Sequence, residues 1–341
     1  MSTFLPSPQP EATRASARNP SRLGLLQALK PYAAIARPDH WFKNVFMLLG
    51  VLLAAFFDVT VLNLNVVGSV LWALATTCVI ASSNYVLNEI LDGAKDRHHP
   101  LKRHRPIPSG EVRIPLAYAE WLSLAAIGLA MASAVNRPFF FSAVALLVMG
   151  VIYNVPPVRS KDLPYVDVVS ESINNPIRLL LGWFAVTQQQ LPPVSLLLAY
   201  WSIGAFFMTA KRFAEYRYLG GTVAGVYRSS FRYYNEQRLL VSIIFYITCF
   251  SLFLGVFIVR WHLELILSFP LIAGFISYYT SVAFKHDSAA QSPERLYHEK
   301  GIVAYLIICL VVFLALMFVQ IPMLFDLLNV PPSQVPPLWK L

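Results

Sequence analysis

Four polar residues at the end of a long apolar run, Asn88, Glu89, Asp92 and Asp96, have the types and spacing of a metal-binding cluster. If the run is helical, with about 100° of rotation per residue, all four side chains lie within one arc of about 100°. Mg²⁺ prefers oxygen ligands of this kind and is usually bound by one or two carboxylates together with substrate phosphates. This first acidic cluster therefore predicts a Mg²⁺ site for a diphosphate. Glu89, Asp92 and Asp96 are the predicted metal ligands.

Basic residues follow this cluster closely, in residues 102–105. Beside a metal-bound diphosphate they would neutralise the charge that the metal leaves uncompensated. The alternative is a charged loop that only marks the cytoplasmic side of a membrane protein. We favour substrate binding by Lys102, Arg103 and Arg105, because the carboxylates before them share one helix face. The histidines of this loop have no HExxH or CxxC partner, which argues against zinc.

A polar stripe lies further along the chain, in an apolar run near 166–187. Asp167, Glu171, Asn174 and Arg178 fall within about 60° of one another on a helix. Ionisable groups at membrane depth are costly and normally face a bundle interior or a wet cavity. Pro176 predicts a loosened helix between Asn174 and Arg178. The stripe is either an internally paired structural network or, as we favour, the second wall of a polar cavity that faces the first acidic cluster.

Further polar groups lie at predicted inner helix ends. Three prolines make residues 153–165 a non-helical loop that carries Lys161. Lys211 and Arg212 end another apolar run, and a surface ion pair at i,i+4 spacing is the alternative to substrate binding there. Lys43 precedes the first apolar run, where a cation that snorkels to the membrane surface is the alternative.

The rest of the chain supplies the elements that would position these groups. Of 341 residues, 57% are hydrophobic and 13% charged, against about 25% charged in a soluble domain. Runs of about 20 apolar residues are long enough to span a membrane. They lie near 44–62, 66–90, 115–135, 138–154, 166–187, 191–214, 238–259, 262–284 and 301–320. We therefore predict an all-α, polytopic membrane protein with nine transmembrane helices.

The basic residues are distributed unevenly about these helices. The net charge of +9 would favour nucleic-acid binding in a soluble protein. Here 23 of the 27 Lys and Arg residues lie in one set of connecting segments and three in the other. By the positive-inside rule, the N-terminus and the polar clusters lie on the cytoplasmic side of the cell membrane and the C-terminus outside. We expect no nucleic-acid partner.

Composition also divides the chain into three parts. Residues 1–34 predict a disordered, basic N-terminal tail, and they lack the apolar core of a secretory signal. Residues 35–325 form the predicted transmembrane catalytic domain, and residues 326–341 a Pro-rich C-terminal tail. The three cysteines lie inside apolar runs and have no metal-binding spacing.

These residues resemble the UbiA superfamily of membrane prenyltransferases. Its first motif, NDxxDxxxD, is similar to residues 88–96, with Glu89 in place of the first aspartate. The second motif is matched at Tyr153-Asn154, Lys161-Asp162 and Asp167. The resemblance covers residues 35–320. It implies a bundle of nine helices with a central polar cavity open to the cytoplasm. Asp92, Asp96 and Asp167 would be catalytic, and Asn88, Tyr153 and Lys161 substrate-binding.

Within the superfamily, the chain looks most like the branch that transfers 5-phosphoribose to a polyprenyl phosphate. Residues 99–110, 37–44 and 211–215 are similar to that branch's motifs HPxKRxRPIxxG, RPxxWxKN and KRYAE. Residues 170–178 depart from it. The resemblance implies Mg²⁺-dependent transfer from phosphoribosyl diphosphate, with release of diphosphate. Cations for two anionic substrates would come from Lys43, Lys102, Arg103, Arg105, Lys161, Arg178, Lys211 and Arg212.

Two alternatives remain open. One is a UbiA-type prenyltransferase that uses a prenyl diphosphate and an aromatic or other small acceptor; the extra cations favour phosphoribosyl transfer over it. The other is a transporter or a non-catalytic scaffold that binds lipid phosphates, since polar stripes in membrane helices also mark transporters. A scaffold has little reason to keep Asp92 and Asp96 on one helical face. The pattern leaves the polyprenyl chain length and the oligomeric state open.

Overall fold

The computed structural model describes residues 23–97, 102–188, 190–220, 224–225, 228–291, 296 and 299–330. These residues form helices and connecting turns and contain no strand, which confirms the all-α prediction. The helices are α1 (Leu23–Ile35), α2 (Leu48–Phe57), α3 (Val66–Asp96), α4 (Pro106–Ser109), α5 (Ile114–Ser133), α6 (Arg137–Asn154), α7 (Val166–Ser172), α8 (Asn174–Phe184), α9 (Val194–Leu219), α10 (Glu236–Trp261), α11 (Phe269–Ala283), α12 (Lys300–Met317) and α13 (Pro322–Leu327). Short 3₁₀ segments, including Pro38–Met47 and Leu263–Ser268, join several of them.

Eight helical segments of the described residues are long and apolar enough to cross a membrane. They are Gln27–Phe57, Val66–Asp96, Ile114–Ser133, Arg137–Asn154, Val194–Leu219, Glu236–Trp261, Leu263–Ala283 and Lys300–Met317. Large apolar side chains such as Phe141, Leu252 and Val311 are exposed on their outer faces, as lipid-facing positions should be. These features confirm a multi-pass membrane protein.

The predicted fifth span, residues 166–187, is two short helices rather than one. α7 ends at Ser172 and α8 begins at Asn174. The break lies before the position between Asn174 and Arg178 that the sequence predicted. The reason is that the ring of Pro176 would clash with the carbonyl of Ser172, four residues earlier, in a continuous helix. Pro176 itself then lies in the first turn of α8, where a backbone N–H has no partner within the helix.

Part of the predicted N-terminal tail is ordered. α1 covers Leu23–Ile35, within and just beyond the residues 1–34 for which the sequence predicted disorder. Ile35 is fully buried, and Tyr32 packs beside it in a small core that α3 and α4 complete. Burial of these apolar side chains offsets the entropy that is lost when the segment forms a helix. Residues 1–22 and 331–341 lie outside the described residues.

Two glycines let α2 and α8 cross with their backbones in contact. A Cβ atom on Gly50 would lie 2.0 Å from the Leu179 carbonyl oxygen, and one on Gly182 would lie 1.7 Å from the Met47 carbonyl oxygen. Only glycine permits so close an approach. α8 also contacts α3, α6 and α9, so it lies in the interior of the bundle. The polar residues that α8 carries are therefore held inside the protein.

Candidate active site

Polar side chains converge where α3, α6 and α9 end and α7 begins. Asp92, one turn before the end of α3, is the centre of the first group. Its Oδ1 accepts hydrogen bonds from Arg159 Nη2 at 2.6 Å and from Lys161 Nζ at 2.7 Å. Both cations come from the loop between α6 and α7. The loop that the sequence predicted as non-helical therefore brings two positive charges to one carboxylate of the first acidic cluster.

Lys161 is held by a second set of bonds. Its Nζ also donates to Asn154 Oδ1 at 2.8 Å, and Asn88 Nδ2 donates to the same oxygen at 2.6 Å. Burial lowers the pKa of the Lys161 ammonium from 10.5 to about 8, and the Asp92 carboxylate opposes that shift. Asn88 therefore reaches the site through Asn154, a residue of the second motif.

Asp96, one turn after Asp92, faces a different set of cations. Its Oδ2 accepts a hydrogen bond from Arg105 Nη1 at 2.9 Å, and Lys102 Nζ lies 3.9 Å from Oδ1. Burial lowers the pKa of Lys102, against the pull of Asp96. Arg103, by contrast, is exposed and donates to the ring of His104. The structure thus brings Lys102 and Arg105 to the first acidic cluster and leaves Arg103 outside it.

Glu89 points towards α4. It is 3% exposed, and its Oε1 accepts a hydrogen bond from the backbone N–H of Ile107 at 3.2 Å. Among the described residues, no group of three or more His, Cys, Asp or Glu side chains is arranged to hold a metal ion. The shared helical arc therefore does not by itself gather Glu89, Asp92 and Asp96 around one point, because each carboxylate contacts a different neighbour.

Arg212 is the centre of a second group. It is 2% exposed, and its three nitrogens each contact a carboxylate: Nε lies 3.2 Å from Asp167, Nη2 3.2 Å from Glu171 and Nη1 3.0 Å from Glu215. The neighbouring Lys211 lies 4.0 Å from Glu215, at the predicted i,i+4 spacing. Arg212 thus joins the acidic half of the polar stripe to the end of α9.

Asp167 is fully buried and has partners that the sequence analysis missed. Its Oδ1 accepts a hydrogen bond from the Tyr234 hydroxyl at 2.6 Å, and its Oδ2 accepts one from Ser230 Oγ at 3.4 Å. Arg228 Nε lies 3.8 Å from the same Oδ2. These three residues lie in the loop between α9 and α10. That loop has no hydrophobic periodicity, so its positive charge was the available signal.

Arg228 and Tyr153 connect the two groups. Arg228 donates to the Lys161 carbonyl oxygen at 3.3 Å and to the Tyr153 hydroxyl at 2.9 Å, and that hydroxyl donates to Glu171 at 2.7 Å. A continuous path of contacts therefore runs from Asp92 through Lys161 to Glu171. One polar network therefore joins the two acidic regions, and the cavity predicted between them stays a prediction.

Arg159 was also missed by the sequence analysis. Besides Asp92, it contacts Asp162 Oδ2 at 2.9 Å and the Asn154 carbonyl oxygen at 3.2 Å. Its φ of 31° lies in the left-handed region, which residues other than glycine rarely adopt. Such a conformation persists where the surroundings over-determine it. The three contacts of this side chain supply that constraint.

Several predicted residues have contacts outside the side chains of this network. Arg178 Nε donates to Asn44 Oδ1 at 3.2 Å, and Lys43 Nζ lies 5.7 Å from the centroid of the Phe42 ring. Asn174 Nδ2 donates to the backbone carbonyl of Glu171 at 3.1 Å. The polar stripe therefore divides at the break between α7 and α8. Asp167 and Glu171 join the network, while Arg178 contacts the segment before α2.

The sequence matches the UbiA prenyltransferase family over residues 44–301. It is 29% identical over 235 residues to the decaprenyl-phosphate phosphoribosyltransferase of Mycolicibacterium smegmatis, a match that covers 67% of this chain and 69% of that protein. The enzyme of the same name from Mycobacterium tuberculosis is 31% identical over 194 residues, or 57% of this chain and 62% of the relative. Nodulation protein NoeC of Azorhizobium caulinodans is 34% identical over 125 residues, 36% of this chain and 38% of the relative. The chain thus spans less than two thirds of the length of two of these three relatives.

Solved structures share the fold. A UbiA homologue from Archaeoglobus fulgidus bound to DMAPP and Mg²⁺ superposes with a TM-score of 0.64 at 19% identity, over 84% of this chain and 99% of that one. A digeranylgeranylglyceryl phosphate synthase superposes with a TM-score of 0.59 at 17% identity, over 85% and 97%. The fold is that of a multi-pass helical membrane protein, with a polar network at its helix ends. The chain belongs to the UbiA prenyltransferase family, and its decaprenyl-phosphate phosphoribosyltransferase relatives support the branch that the motifs predicted.

Proposed function

We propose that this protein transfers 5-phosphoribose from phosphoribosyl diphosphate to a polyprenyl phosphate and releases diphosphate. The observation that carries the proposal is the number of cations at the first acidic cluster. Two carboxylates, Asp92 and Asp96, contact four cations, which are Lys102, Arg105, Arg159 and Lys161. One diphosphate with its metal needs fewer positive charges than this. The excess of cations is accounted for by a donor that carries a third phosphate and an acceptor that is itself a phosphate.

The carboxylates fit a Mg²⁺ ion that arrives with the donor. Mg²⁺ usually takes one or two carboxylates and completes its coordination with phosphate oxygens and waters. Asp92 and Asp96 supply two oxygen donors one turn apart on α3, with side chains 20% and 8% exposed. A divalent cation held there would neutralise charge on the departing diphosphate. Glu89 directs Oε1 at the Ile107 N–H, so we propose that it braces α4.

The reaction then requires little from the protein beyond binding and orientation. The bond between C1 of the ribose and the diphosphate oxygen breaks, and a bond from C1 to the lipid phosphate oxygen forms. That oxygen is already ionised at pH 7, so no strong general base is needed. Lys102, Arg105 and Lys161 would exchange their carboxylate partners for phosphate oxygens as substrates bind. Asp167 and Glu171 would hold Arg212 in place and orient the network.

We propose that the network faces the cytoplasm. Phosphoribosyl diphosphate is water-soluble and highly charged, so its site must open to the aqueous side that contains it. The distribution of Lys and Arg supports an orientation with the loops of the network on the inner side of the cell membrane. In this orientation the polyprenyl phosphate lies in the inner leaflet, with its phosphate at the level of the helix ends.

A substrate-omission experiment tests the proposal. Purified protein in detergent with Mg²⁺ should release diphosphate when phosphoribosyl diphosphate and polyprenyl phosphate are both present. Omission of either substrate, or chelation of the metal, should stop the release. Release of diphosphate from a prenyl diphosphate with an aromatic acceptor, without any from phosphoribosyl diphosphate, would instead support an ordinary prenyltransferase.

The role of Glu89 leads to a separate prediction. Glu89→Gln keeps an oxygen for the Ile107 N–H but removes the charge, so it should retain transfer activity within about threefold of wild type. A metal ligand would not tolerate the same change. Initial rates at saturating Mg²⁺ provide the measurement, with Asp92→Asn as the comparison. Equal losses in the two variants would show that Glu89 ligates metal.

A further inference from the structure

Arg178 lies inside the bundle without a carboxylate partner. Among the described residues, its hydrogen-bond and ion-pair contacts consist of the one bond from Nε to Asn44 Oδ1. In contrast, Arg105, Arg159 and Arg212 each contact at least one carboxylate. The outer edge of the Arg178 guanidinium, formed by Nη1 and Nη2, has no acceptor in the part of the chain that the structure describes.

Neighbouring residues hold this guanidinium in one orientation. Asn44 is fully buried, and its Nδ2 donates to Cys78 Sγ at 3.3 Å, which directs its oxygen at Arg178 Nε. The crossing at Gly50 and Gly182 fixes α8 against α2, directly after the 3₁₀ segment that carries Asn44. When Nε is held by Asn44, the planar guanidinium presents the N–H groups of Nη1 and Nη2 side by side on its outer edge. That geometry matches two oxygens of a phosphate group.

Arg178 is within reach of the polar network. Tyr85 on α3 lies close enough to interact electrostatically with both Arg178 and Glu171. Tyr85 is on the same face of α3 as Asp92 and two turns earlier, a distance of about 10 Å along the helix. α8 is enclosed by α2, α3, α6 and α9, so the free edge of Arg178 faces the interior of the bundle rather than lipid.

An unpaired polar atom lies one turn from Arg178. Asn174 Oδ1 is buried and has no hydrogen-bond partner among the described residues. Asn174 precedes Arg178 by four positions, which places both side chains on one face of α8. A charge without a partner inside a membrane bundle is costly, and so is a buried carbonyl oxygen such as Asn174 Oδ1. A ligand with a phosphate for Arg178 and a hydroxyl for Asn174 would remove both costs.

We infer that Arg178, held by Asn44, forms a second anion site that takes a phosphate monoester and is separate from the diphosphate site at Asp92 and Asp96. The inference rests on the proposed function, in which each substrate carries one such group. These are the 5-phosphate of the donor and the phosphate of the polyprenyl acceptor. Both present the same chemistry to an arginine, and binding measurements distinguish them.

The test uses Arg178→Gln and Arg178→Lys in the full-length protein in detergent. Dissociation constants are measured for phosphoribosyl diphosphate with Mg²⁺ and, separately, for polyprenyl phosphate. Arg178→Gln should weaken one of them about tenfold or more, and the substrate affected identifies the source of the phosphate. Arg178→Lys should recover only part of the loss, because an ammonium cannot replace the fork. Arg137→Gln, at the opposite end of the bundle, is the matched control and should bind both substrates like wild type.

Thermal unfolding separates binding from a structural role. Removal of Arg178 leaves no carboxylate unpaired, so Arg178→Gln should unfold at or above the wild-type temperature. Unchanged binding of both substrates in Arg178→Gln would overturn the inference and leave the proposed function intact. So would a large loss of stability in Arg178→Gln together with wild-type binding in Arg178→Lys. If the wild-type protein binds neither substrate, the proposed function is overturned as well.

Discussion

Replacement of Asp92 or Asp96 by Asn should reduce transfer by at least about 10²–10³-fold, the loss expected when a group that stabilises developing charge is removed. Each carboxylate contacts two cations at the end of α3. We propose that each also ligates the metal that carries the diphosphate. Asn keeps the size and one oxygen of the side chain but is a poor Mg²⁺ ligand. Initial rates over a range of Mg²⁺ concentrations measure the effect, and excess metal should not restore full activity.

A structural explanation for that loss can be tested directly. Each Asn variant removes a carboxylate that two cations contact, so thermal unfolding in detergent must be compared with that of wild type. Glu299→Gln is the control, because Glu299 pairs with Lys285, and the two side chains are 33% and 55% exposed. It should leave the rate and the unfolding temperature unchanged. Full activity in either Asp variant would contradict the assignment of the first acidic cluster.

Replacement of Arg212 by Met should lower the free energy of unfolding by about 3–5 kcal/mol, the usual loss when one partner of a buried ion pair is removed. The substitution leaves Asp167, Glu171 and Glu215 without the guanidinium that each contacts. Asp167 is 0% exposed, so its charge cannot recover solvation in place. Thermal or denaturant unfolding of the purified protein provides the measurement.

The same helix offers a matched control for this prediction. Arg217, also on α9, pairs with Glu236 at 3.2 Å, and the two side chains are 32% and 50% exposed. Arg217→Met should therefore change the free energy of unfolding by less than about 1 kcal/mol. Equal effects of the two substitutions would mean that Arg212 behaves as a surface cation, and that the second group of the network is hydrated.

The first acidic cluster shows how far periodicity alone could predict the site. A helical period correctly placed Asp92 and Asp96 at the end of a long membrane helix, next to cations that contact Asp96. The same period grouped Glu89 with them, although Glu89 contacts α4. A helical arc states which side chains share a face of one helix. It does not state which element packs against each part of that face.

Contacts from loops could not be predicted in this way. Arg159, Arg228 and Tyr234 reach the carboxylates from segments without periodicity, and each contact joins residues 61 or more positions apart, as between Arg228 and Asp167. The polar stripe does not stay on one helix face, because Pro176 breaks the predicted helix into α7 and α8. Arg178 instead donates a hydrogen bond to Asn44, which lies 134 positions away in the sequence. Tertiary packing determines which residues form such pairs, and the periodicity of the sequence does not indicate them.

The most direct test of phosphoribosyl transfer is a competition between donors with analysis of the lipid product. Wild-type protein receives labelled phosphoribosyl diphosphate and a labelled prenyl diphosphate together, with polyprenyl phosphate, an aromatic acceptor and Mg²⁺. We expect the ribose label to appear in the lipid fraction, on a polyprenyl phosphate whose mass has increased by one phosphoribosyl group. A prenylated aromatic product, with phosphoribosyl diphosphate recovered intact, would contradict the proposed function.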